Sequence, residues 1–261
     1  MSAELRDLAL EAARAAAVLV GERRAVGVEV AATKSSDVDV VTEADRASER
    51  LIREFVLGRR PDDAFLGEEG DDVAGTTGVR WVVDPIDGTV NFLYGIPAYA
   101  VSVAAEVDGR VEAGVVLNVA TGAEYAAARG LGATRDGNPI QTRPAAPMSR
   151  RLLATGFGYA EEARRLQADG LTRLLPRVRD IRRFGSCALD LCAVAEGTVD
   201  GYLEEGVHLW DYAAGALVAQ EAGAAYRLGT GRWGGQSVVC GPAEGFAELL
   251  ELVDEIGYFG E

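Results

Sequence analysis

The stretch Trp81-Val82-Val83-Asp84-Pro85-Ile86-Asp87-Gly88-Thr89 combines a strand, a turn and two acids. Its leading apolar residues are typical of a buried strand, which then delivers the carboxylates of Asp84 and Asp87. The proline restrains the backbone between the two acids, and Gly88 permits a tight turn. Thr89 opens the next element, so the amides of Gly88 and Thr89 can point at an anion. The stretch therefore predicts acids and an anion-binding turn at one end of a strand.

Carboxylates repel an anion that binds at the neighbouring turn. The two can lie close together only if cations lie between the carboxylates and the anion. Oxygen ligands of this kind favour Mg²⁺ or Mn²⁺. A second interpretation stays open from these residues alone. Asp87-Gly88 between apolar runs is also typical of a turn that closes a hairpin.

Two further acidic positions bear on this choice. Glu68 and Glu69 follow a short apolar strand in Phe65–Gly70, and Asp211 follows Trp210 at the head of an alanine-rich helix. Each has a simpler interpretation, because Glu68-Glu69 could be a solvated loop and Asp211 a helix N-cap.

The composition excludes several kinds of chemistry. The 261 residues are 48% apolar and 26% charged, as in ordinary globular proteins. The 26 basic and 41 acidic residues give a net charge of −15, which disfavours nucleic acid and anionic membranes as partners and favours cations. The single histidine, His208, excludes an imidazole-rich zinc site, and the single lysine, Lys34, is not part of a P-loop. Carboxylates are what the chain has in abundance.

The cysteines and the N-terminus bear on the compartment. Three cysteines, an odd number without C-x-x-C spacing, predict buried thiols in a reducing cytosol. The N-terminus is charged and helical, unlike a signal peptide, and the apolar stretches are shorter than the roughly eighteen residues of a membrane helix. We therefore expect a cytoplasmic protein without a membrane segment.

Hydrophobic periodicity predicts an α/β protein with two halves. The first half is α+β, with helices over 4–21 and 42–57, a strand over 81–83 and a meander of strands over 98–128. Two prolines make 143–147 the best linker. Strands and helices then alternate over 152–155, 161–175, 180–184, 188–195, 199–203 and 210–222. We expect an α+β domain over residues 1–143 and an α/β domain over residues 148–261.

Three motifs in this order and spacing resemble the inositol monophosphatase family. They are GEE at 67–69, DPIDGT at 84–89 and WDYAAG at 210–215, and the similarity extends through 34–45, 185–190 and 202–211. The resemblance implies a layered αβαβα sandwich, a homodimer and a Mg²⁺-dependent, lithium-sensitive phosphatase. Val90-Asn91-Phe92 is similar to the inositol-phosphate branch, and 91–102 resembles its actinobacterial members. The implied substrate is inositol 1-phosphate.

The resemblance also implies a ligand set for two to three Mg²⁺ ions, with Mn²⁺ as a possible substitute. Glu68, Asp84 and the carbonyl of Ile86 would hold the first ion. Asp84, Asp87 and Asp211 would hold the second, with Asp84 bridging. A third ion would rest on Glu68 and waters.

Catalytic and substrate roles follow from the same resemblance. Asp45 and Thr89 would polarise the water that Glu68 and the metals activate, although Asp45 could also simply complete a helix cap with Thr42. The residues implied to contact the substrate, its phosphate or its alcohol part, are Asp87, Gly88, Thr89, Arg183, Gly185, Ser186, Cys187, Glu204 and Asp211. If residues 199–205 are extended, Glu205 points away from the pocket that Glu204 faces. Cys187 stands where many relatives carry alanine, so some sensitivity to oxidation is expected.

Physical chemistry supports a metal-dependent phosphatase independently. Phosphate-monoester hydrolysis is extremely slow without a catalyst, and its developing negative charge needs fixed positive charge. Two ions about 3.5–4 Å apart can clamp the attacking and the leaving oxygens. Because histidine and lysine are nearly absent, metals must supply that charge.

Some patterns and functions compete with this prediction. Asp37-Val38-Asp39 has the shape of an aspartyl-phosphate motif, but the polar residues 33–36 before it are unlike a buried strand. Gly229–Gly234 spells GxGxxG but predicts a glycine-rich hairpin, since a strand follows it. Histidinol phosphate, 3′-phosphoadenosine 5′-phosphate and fructose 1,6-bisphosphate are alternative substrates. A non-catalytic regulatory or interaction protein is the alternative from another class.

Overall fold

The computed structural model describes residues 1–27, 30–33 and 40–258. Its helices are α1 (Ser2–Val26), α2 (Glu43–Arg59), α3 (Thr89–Tyr94), α4 (Glu161–Leu174), α5 (Cys187–Ala195), α6 (Leu209–Glu221) and α7 (Phe246–Glu255). Its strands are β1 (Val30–Thr33), β2 (Val40–Thr42), β3 (Ala64–Gly67), β4 (Val79–Asp87), β5 (Ala100–Val107), β6 (Arg110–Asn118), β7 (Glu124–Ala128), β8 (Ala133–Arg135), β9 (Asn138–Pro139), β10 (Leu152–Thr155), β11 (Asp180–Arg182), β12 (Gly201–Glu205), β13 (Ala224–Thr230) and β14 (Gln236–Pro242). The competing motif Asp37-Val38-Asp39 lies outside the described residues.

A seven-stranded sheet forms the first half of the molecule, in the order β3-β4-β5-β6-β7-β8-β9. Strands β3 and β4 are parallel, and all later neighbours are antiparallel. Asp108 and Gly109 adopt positive φ in the turn between β5 and β6, as expected for an Asp-Gly hairpin. The predicted meander over 98–128 is confirmed.

A five-stranded sheet forms the second half, in the order β11-β10-β12-β14-β13. Strand β10 is parallel to both β11 and β12, while β14 is antiparallel to β12 and β13. The glycine-rich segment 229–234 lies at the β13–β14 hairpin, as predicted. The strand predicted over 199–203 begins two residues later, as β12. The amides of Thr198 and Val199 instead donate to the carbonyl of Ala193 at the end of α5.

The elements stack as an αβαβα sandwich, which confirms the expected fold. Helices α1 and α2 share a core with one face of the seven-stranded sheet. Helices α5 and α6 lie between the two sheets and contribute to a core with both of them. Helix α7 and the end of α4 cover the outer face of the five-stranded sheet.

The central layer is closely packed, because small residues stand where backbones approach. A Cβ atom on Gly114 of β6 would lie 2.8 Å from the carbonyl oxygen of Ala214 on α6. A Cβ atom on Gly215 would lie 2.9 Å from Leu191 of α5. Larger residues at these two positions would push the layers apart, so the glycines help to set the positions of α5 and α6.

Residues 143–147 form no helix or strand, and the two sheets lie on either side of this segment. We propose the segment as the boundary between domains 1–143 and 148–261. The α5–α6 layer joins both sheets in one core, so we expect the halves to unfold together.

In the part of the chain that the structure describes, no helix combines the length and the apolar character needed to span a membrane.

Candidate active site

Strand β4 carries the two acids of the DPIDGT motif to the edge of the central layer. Its pairing with β5 is regular up to Asp84, opposite Ser102, and then shifts before Asp87, opposite Ala100. The carboxylate of Asp84 accepts the amide N–H of Ile86 at 3.0 Å and stabilises this irregular turn. Two acids three positions apart on a regular strand would face opposite sides. The shift interrupts this regular alternation, and the charge of Asp87 helps to raise the pKa of Asp84.

Four carboxyl groups from three separated segments converge here. Burial raises the pKa of Asp84 well above its usual range, and the charges of Glu68, Asp87 and Asp211 raise it further. Burial also raises the pKa of Asp211, with Glu68 and Asp87 as the next contributors. Asp84 and Asp211 therefore share one electrostatic environment with Glu68 and Asp87, and perturbed groups of this kind cluster at functional sites. The hairpin and solvated-loop interpretations therefore do not account for these residues.

The donor set fits a hard divalent cation. The four side chains offer only oxygen ligands, and a cation between them would reduce the charge repulsion that adds to the effect of burial on the pKa of Asp84 and Asp211. Among residues 1–27, 30–33 and 40–258, no three acidic, histidine or cysteine side chains already form a compact group of ligands. The cluster is therefore complementary to cations in charge without being a closed ligand sphere.

The N-terminus of α5 holds Asp87 in place. The carboxylate of Asp87 accepts the Ser186 hydroxyl at 2.5 Å, the Ala188 amide at 2.7 Å and the Cys187 amide at 3.3 Å. Burial raises the pKa of Asp87 to about 7, while the bonds from Ser186 and Ala188 oppose that rise. The Ser186 hydroxyl and the Cys187 amide thus donate to Asp87, a candidate metal ligand. A contact of these two residues with the substrate stays a prediction.

Asp45 completes the helix cap that the sequence suggested and also contacts Thr89, while its part in polarising water stays a prediction. One carboxylate oxygen accepts the amide and the hydroxyl of Thr42 and completes the capping box of α2. The other lies 3.1 Å from the hydroxyl of Thr89, which also lies 3.0 Å from the carbonyl of Ile86. Burial raises the pKa of Asp45 despite the opposing bonds from Thr42, and the charge of Glu68 adds to the rise. The helix cap is therefore connected directly to the DPIDGT turn.

Gly88 adopts a left-handed conformation, with φ 91°, immediately before α3. A Cβ atom there would lie 2.8 Å from the carbonyl of Ala98 and 3.0 Å from that of Gly185. Glycine is therefore required at this turn by both conformation and space.

The two polar residues assigned to the alcohol part of the substrate lie on the C-terminal half. Glu204 on β12 accepts the Tyr202 hydroxyl at 2.7 Å, and its charge acts on both Asp87 and Asp211. Burial raises the pKa of Glu204, and the bond from Tyr202 and the charge of Arg183 oppose the rise. The exposed Arg183 side chain folds against Gly185, beside the α5 N-terminus.

The neighbouring acid Glu205 points the other way, as the strand register predicts. Its carboxylate accepts the amide of Trp233 at 2.6 Å in the β13–β14 hairpin. Glu205 is buried, so it has a structural role there.

Asp211 is the third residue of α6, and its carboxylate accepts the amide of His208 at 2.6 Å. Asp211 is the third helical residue of a capping box. The sequence suggested Asp211 as the N-cap, but the structure has His208 at that position. The cap orients the side chain of Asp211 at the helix end that faces the cluster.

The expected sensitivity of Cys187 to oxidation is wrong on physical grounds. The thiol is buried, and burial raises its pKa well above the usual range, as do the charges of Glu204 and Asp87. Reactive thiols need exposure and a thiolate at neutral pH, and Cys187 has neither.

Two positioning residues escaped the sequence analysis. Ser48 on α2 is buried and donates to the carbonyl of Pro85 at 3.1 Å, inside the DPIDGT turn. Asn91 on α3 donates to the carbonyls of Ala98 and Phe184, each at 2.7 Å, and joins the turn to the Arg183–Ser186 segment. In the sequence, Asn91 is marked only by the family resemblance. Nothing in the sequence near Ser48 indicates that its partner is the distant carbonyl of Pro85.

The αβαβα sandwich and the carboxylate cluster beside its central helices agree with a phosphatase of the inositol monophosphatase type. The chain belongs to the inositol monophosphatase family, whose sequence profile matches residues 1–257. It is 48% identical over 267 residues to the inositol-1-monophosphatase SuhB of Mycobacterium tuberculosis strain H37Rv, covering 95% of this chain and 92% of that protein. It is 36% identical over 219 residues to the Nus factor SuhB of Escherichia coli K12, covering 83% of this chain and 82% of that protein.

A solved structure agrees with this assignment. The structure of Mycobacterium tuberculosis SuhB superimposes with a TM-score of 0.87 at 44% identity, covering 99% of this chain and 98% of that one. The similarity therefore includes both sheets and the helix layer between them.

Proposed function

We propose that this protein is a Mg²⁺-dependent phosphomonoesterase that hydrolyses inositol 1-phosphate to inositol and phosphate. The observation that carries the proposal is the convergence of Glu68, Asp84, Asp87 and Asp211, whose charges act on one another. Family membership supports the reaction class, and the M. tuberculosis relative named inositol-1-monophosphatase supports the substrate.

The metal ligands are proposed residue by residue. Glu68, Asp84 and the carbonyl of Ile86 would hold one Mg²⁺, and Asp84, Asp87 and Asp211 a second. When bound, such cations supply positive charge to the phosphate oxygens and lower the pKa of coordinated water. Use of a third ion, and replacement by Mn²⁺, belong to the same proposal.

The chain's own residues would orient the substrate and control the proton. The amides of Gly88 and Thr89 would bind the phosphate oxygens at the start of α3. The Thr89 hydroxyl lies within hydrogen-bond reach of Asp45, so this pair can hold a proton beside the attacking water while Glu68 accepts from it. Hydrogen bonds from Ser186 and from the amide of Ala188 hold the carboxylate of Asp87 and oppose the rise of its pKa.

Glu204 and Arg183 would bind the alcohol part. A carboxylate accepts hydrogen bonds from adjacent hydroxyls, and a guanidinium donates to them, so the pair is suited to a polyol. The backbone of Gly185, Ser186 and Cys187 lies between Arg183 and Asp87 and would form the floor of this subsite.

The deciding experiment is a phosphate-release assay with Mg²⁺ on four esters. Inositol 1-phosphate, histidinol phosphate, 3′-phosphoadenosine 5′-phosphate and fructose 1,6-bisphosphate are compared by kcat/KM, each with and without EDTA. The proposal expects the highest value for inositol 1-phosphate and no release with EDTA. A higher value for one of the other three would replace the substrate and leave the reaction class intact.

A non-catalytic role is a second candidate, because an E. coli relative bears the name Nus factor SuhB. The carboxylate cluster favours catalysis, since a purely structural interaction protein has no need of four acids that destabilise one another. The two functions separate in an Asp84→Asn variant, where catalysis is lost and a protein-binding role persists.

Assembly and compartment complete the proposal. We propose a homodimer in the cytoplasm, supported by the family resemblance and by the free, buried state of the three cysteines. Light scattering coupled to size exclusion tests the dimer directly.

A further inference from the structure

An open cavity of about 620 Å³ reaches the residue that follows the DPIDGT turn. Val90, which follows the phosphate-binding turn, borders one part of it, and Arg183 borders another. The cavity therefore continues from the candidate phosphate site on the side where the alcohol part is proposed to bind. It offers more space than one cyclitol ring fills.

The walls of the cavity do not match a polyol. Phe157 and Tyr159 contribute aromatic rings from the loop after β10, and Leu171 and Ala168 contribute carbon atoms from α4. Inositol carries a hydroxyl group on every ring carbon, so it cannot bury much apolar surface against such walls. Apolar walls favour an apolar ligand group.

Two guanidinium groups border the same cavity. Arg164 lies 6.0 Å from the ring centre of Tyr159 and donates to the carbonyl of Gly158 at 2.8 Å. Across the described residues, neither Arg164 nor Arg183 has a carboxylate within 4.0 Å. Planar guanidinium groups stack on aromatic rings and attract anions.

We infer that this cavity, here named the aryl pocket, binds a planar aromatic group in the alcohol part of a phosphate monoester. The aryl pocket is bordered by Val90, Phe157, Tyr159, Arg164, Leu171 and Arg183, with Ala168 at its rim. The inference rests on the proposed phosphatase function and extends its substrates from polyol to aryl phosphates. The reaction is unchanged: the oxygen of water bonds to phosphorus, the P–O bond to the alcohol breaks, and the departing oxygen takes the proton.

The test compares two esters that differ by one fused ring, 2-naphthyl phosphate and phenyl phosphate. Both have aryl leaving groups, so the difference reports mainly on binding of the extra ring. The wild type is expected to have about tenfold higher kcat/KM for the naphthyl ester, from the apolar area that the extra ring buries. Inositol 1-phosphate in the same assay reports on the proposed function by itself.

The variant Ala168→Phe places a ring at the rim of the pocket without touching the carboxylate cluster. It should bring the naphthyl-to-phenyl ratio close to one and change kcat/KM for inositol 1-phosphate much less than kcat/KM for the naphthyl ester. The control Thr172→Phe adds the same ring to an exposed position of α4 outside the pocket and should keep the tenfold ratio.

A binding measurement separates the pocket from catalysis. Naphthalene-2-sulfonate and benzenesulfonate, which are not hydrolysed, are titrated by calorimetry and should show the same preference and the same loss in Ala168→Phe. Hydrolysis of inositol 1-phosphate with a naphthyl-to-phenyl ratio near one, or a ratio that Ala168→Phe leaves unchanged, overturns the aryl pocket. A sulfonate preference that Ala168→Phe abolishes, without hydrolysis of any ester, supports the pocket and overturns the proposed function.

Discussion

The hydroxyl of Ser186 donates a 2.5 Å hydrogen bond to Oδ2 of Asp87 and joins the N-terminus of α5 to a candidate metal ligand. Ser186 also caps its own helix, because its oxygen accepts the Leu189 amide at 3.3 Å. One serine thus orients the helix and the carboxylate together. The relationship connects the two halves of the chain at the site itself, since Asp87 belongs to the first sheet and α5 to the second half.

Ser186→Ala should therefore weaken Mg²⁺ activation. Loss of the hydroxyl removes a bond that holds the pKa of Asp87 down, so more of the carboxyl is protonated at neutral pH. The Mg²⁺ concentration for half-maximal activity should rise about ten- to hundredfold, the usual effect of removing a partner of a metal ligand. The control is Ser237→Ala, because the buried Ser237 hydroxyl has no hydrogen-bond partner within the described residues. Equal Mg²⁺ dependence in both variants contradicts the assignment.

Asp84→Asn should cost most of kcat, about a hundredfold or more, and excess EDTA should abolish turnover of the wild type. An amide cannot supply the charge that a bridging carboxylate gives to two ions. Steady-state kinetics at saturating Mg²⁺ measure the effect, with the exposed Asp62→Asn as the control. Turnover near that of the wild type in Asp84→Asn rejects the bridging role.

Lithium should inhibit at millimolar concentration. A small monovalent ion can occupy the site of Asp84, Asp87 and Asp211 without completing the charge there. A lithium titration at saturating Mg²⁺ tests this, with potassium chloride at equal ionic strength as the control. Unchanged turnover across the titration speaks against a second cation site.

The metal-free protein should lose stability as the pH rises from about 4 to about 7. The pKa of Asp87 is about 7 in the folded state, above its usual value of 3.8, so the folded state holds an extra proton in this window. Stability is therefore greatest below the unfolded pKa and falls as the pH passes through the folded one, by roughly 4 kcal/mol at most for this group. Asp84 and Asp211 act with the same sign.

Thermal unfolding in EDTA from pH 4 to pH 8 measures that loss. Mg²⁺ should raise the melting temperature more at pH 8 than at pH 5, because it binds ionised carboxylates. Asp87→Asn should flatten the pH dependence in EDTA. The same slope in the wild type and in Asp87→Asn would show that the proton is held elsewhere.

Glu204→Gln should raise KM for inositol 1-phosphate and leave a phosphate ester without neighbouring hydroxyls almost unchanged. A charged acceptor is worth about 1.5–3 kcal/mol, or roughly ten- to hundredfold in KM. Equal losses on both esters would indicate a role in metal binding or folding instead.

Glu205→Gln is the matched control, and the structure adds an expected effect on stability. The sequence predicts near-neutral kinetics on both esters, and the outward direction of Glu205 agrees. Its buried bond to the Trp233 amide adds a stability cost of about 1 kcal/mol, visible in chemical denaturation.

Much of the fold could be predicted because its signals are local. Thr42 caps α2 as its hydroxyl and the acid three residues later indicate, and Asp-Gly at 108–109 closes a hairpin. Helix α7 was missed although Leu249, Leu252 and Val253 have helical spacing and are buried. Its short length and the glycines on either side weaken that pattern.

The sequence by itself determined the family, the layered fold and the acids of the site, because each motif is a short run whose chemistry does not depend on distant residues. Only the tertiary structure decided how those acids act together. The pairing of β4 shifts between Asp84 and Asp87, and the α5 N-terminus fixes Asp87 through Ser186, ninety-nine positions along the chain. Burial and neighbouring charge, which raise the pKa values of Asp84 and Asp211, exist only after the two sheets pack on the α5–α6 layer.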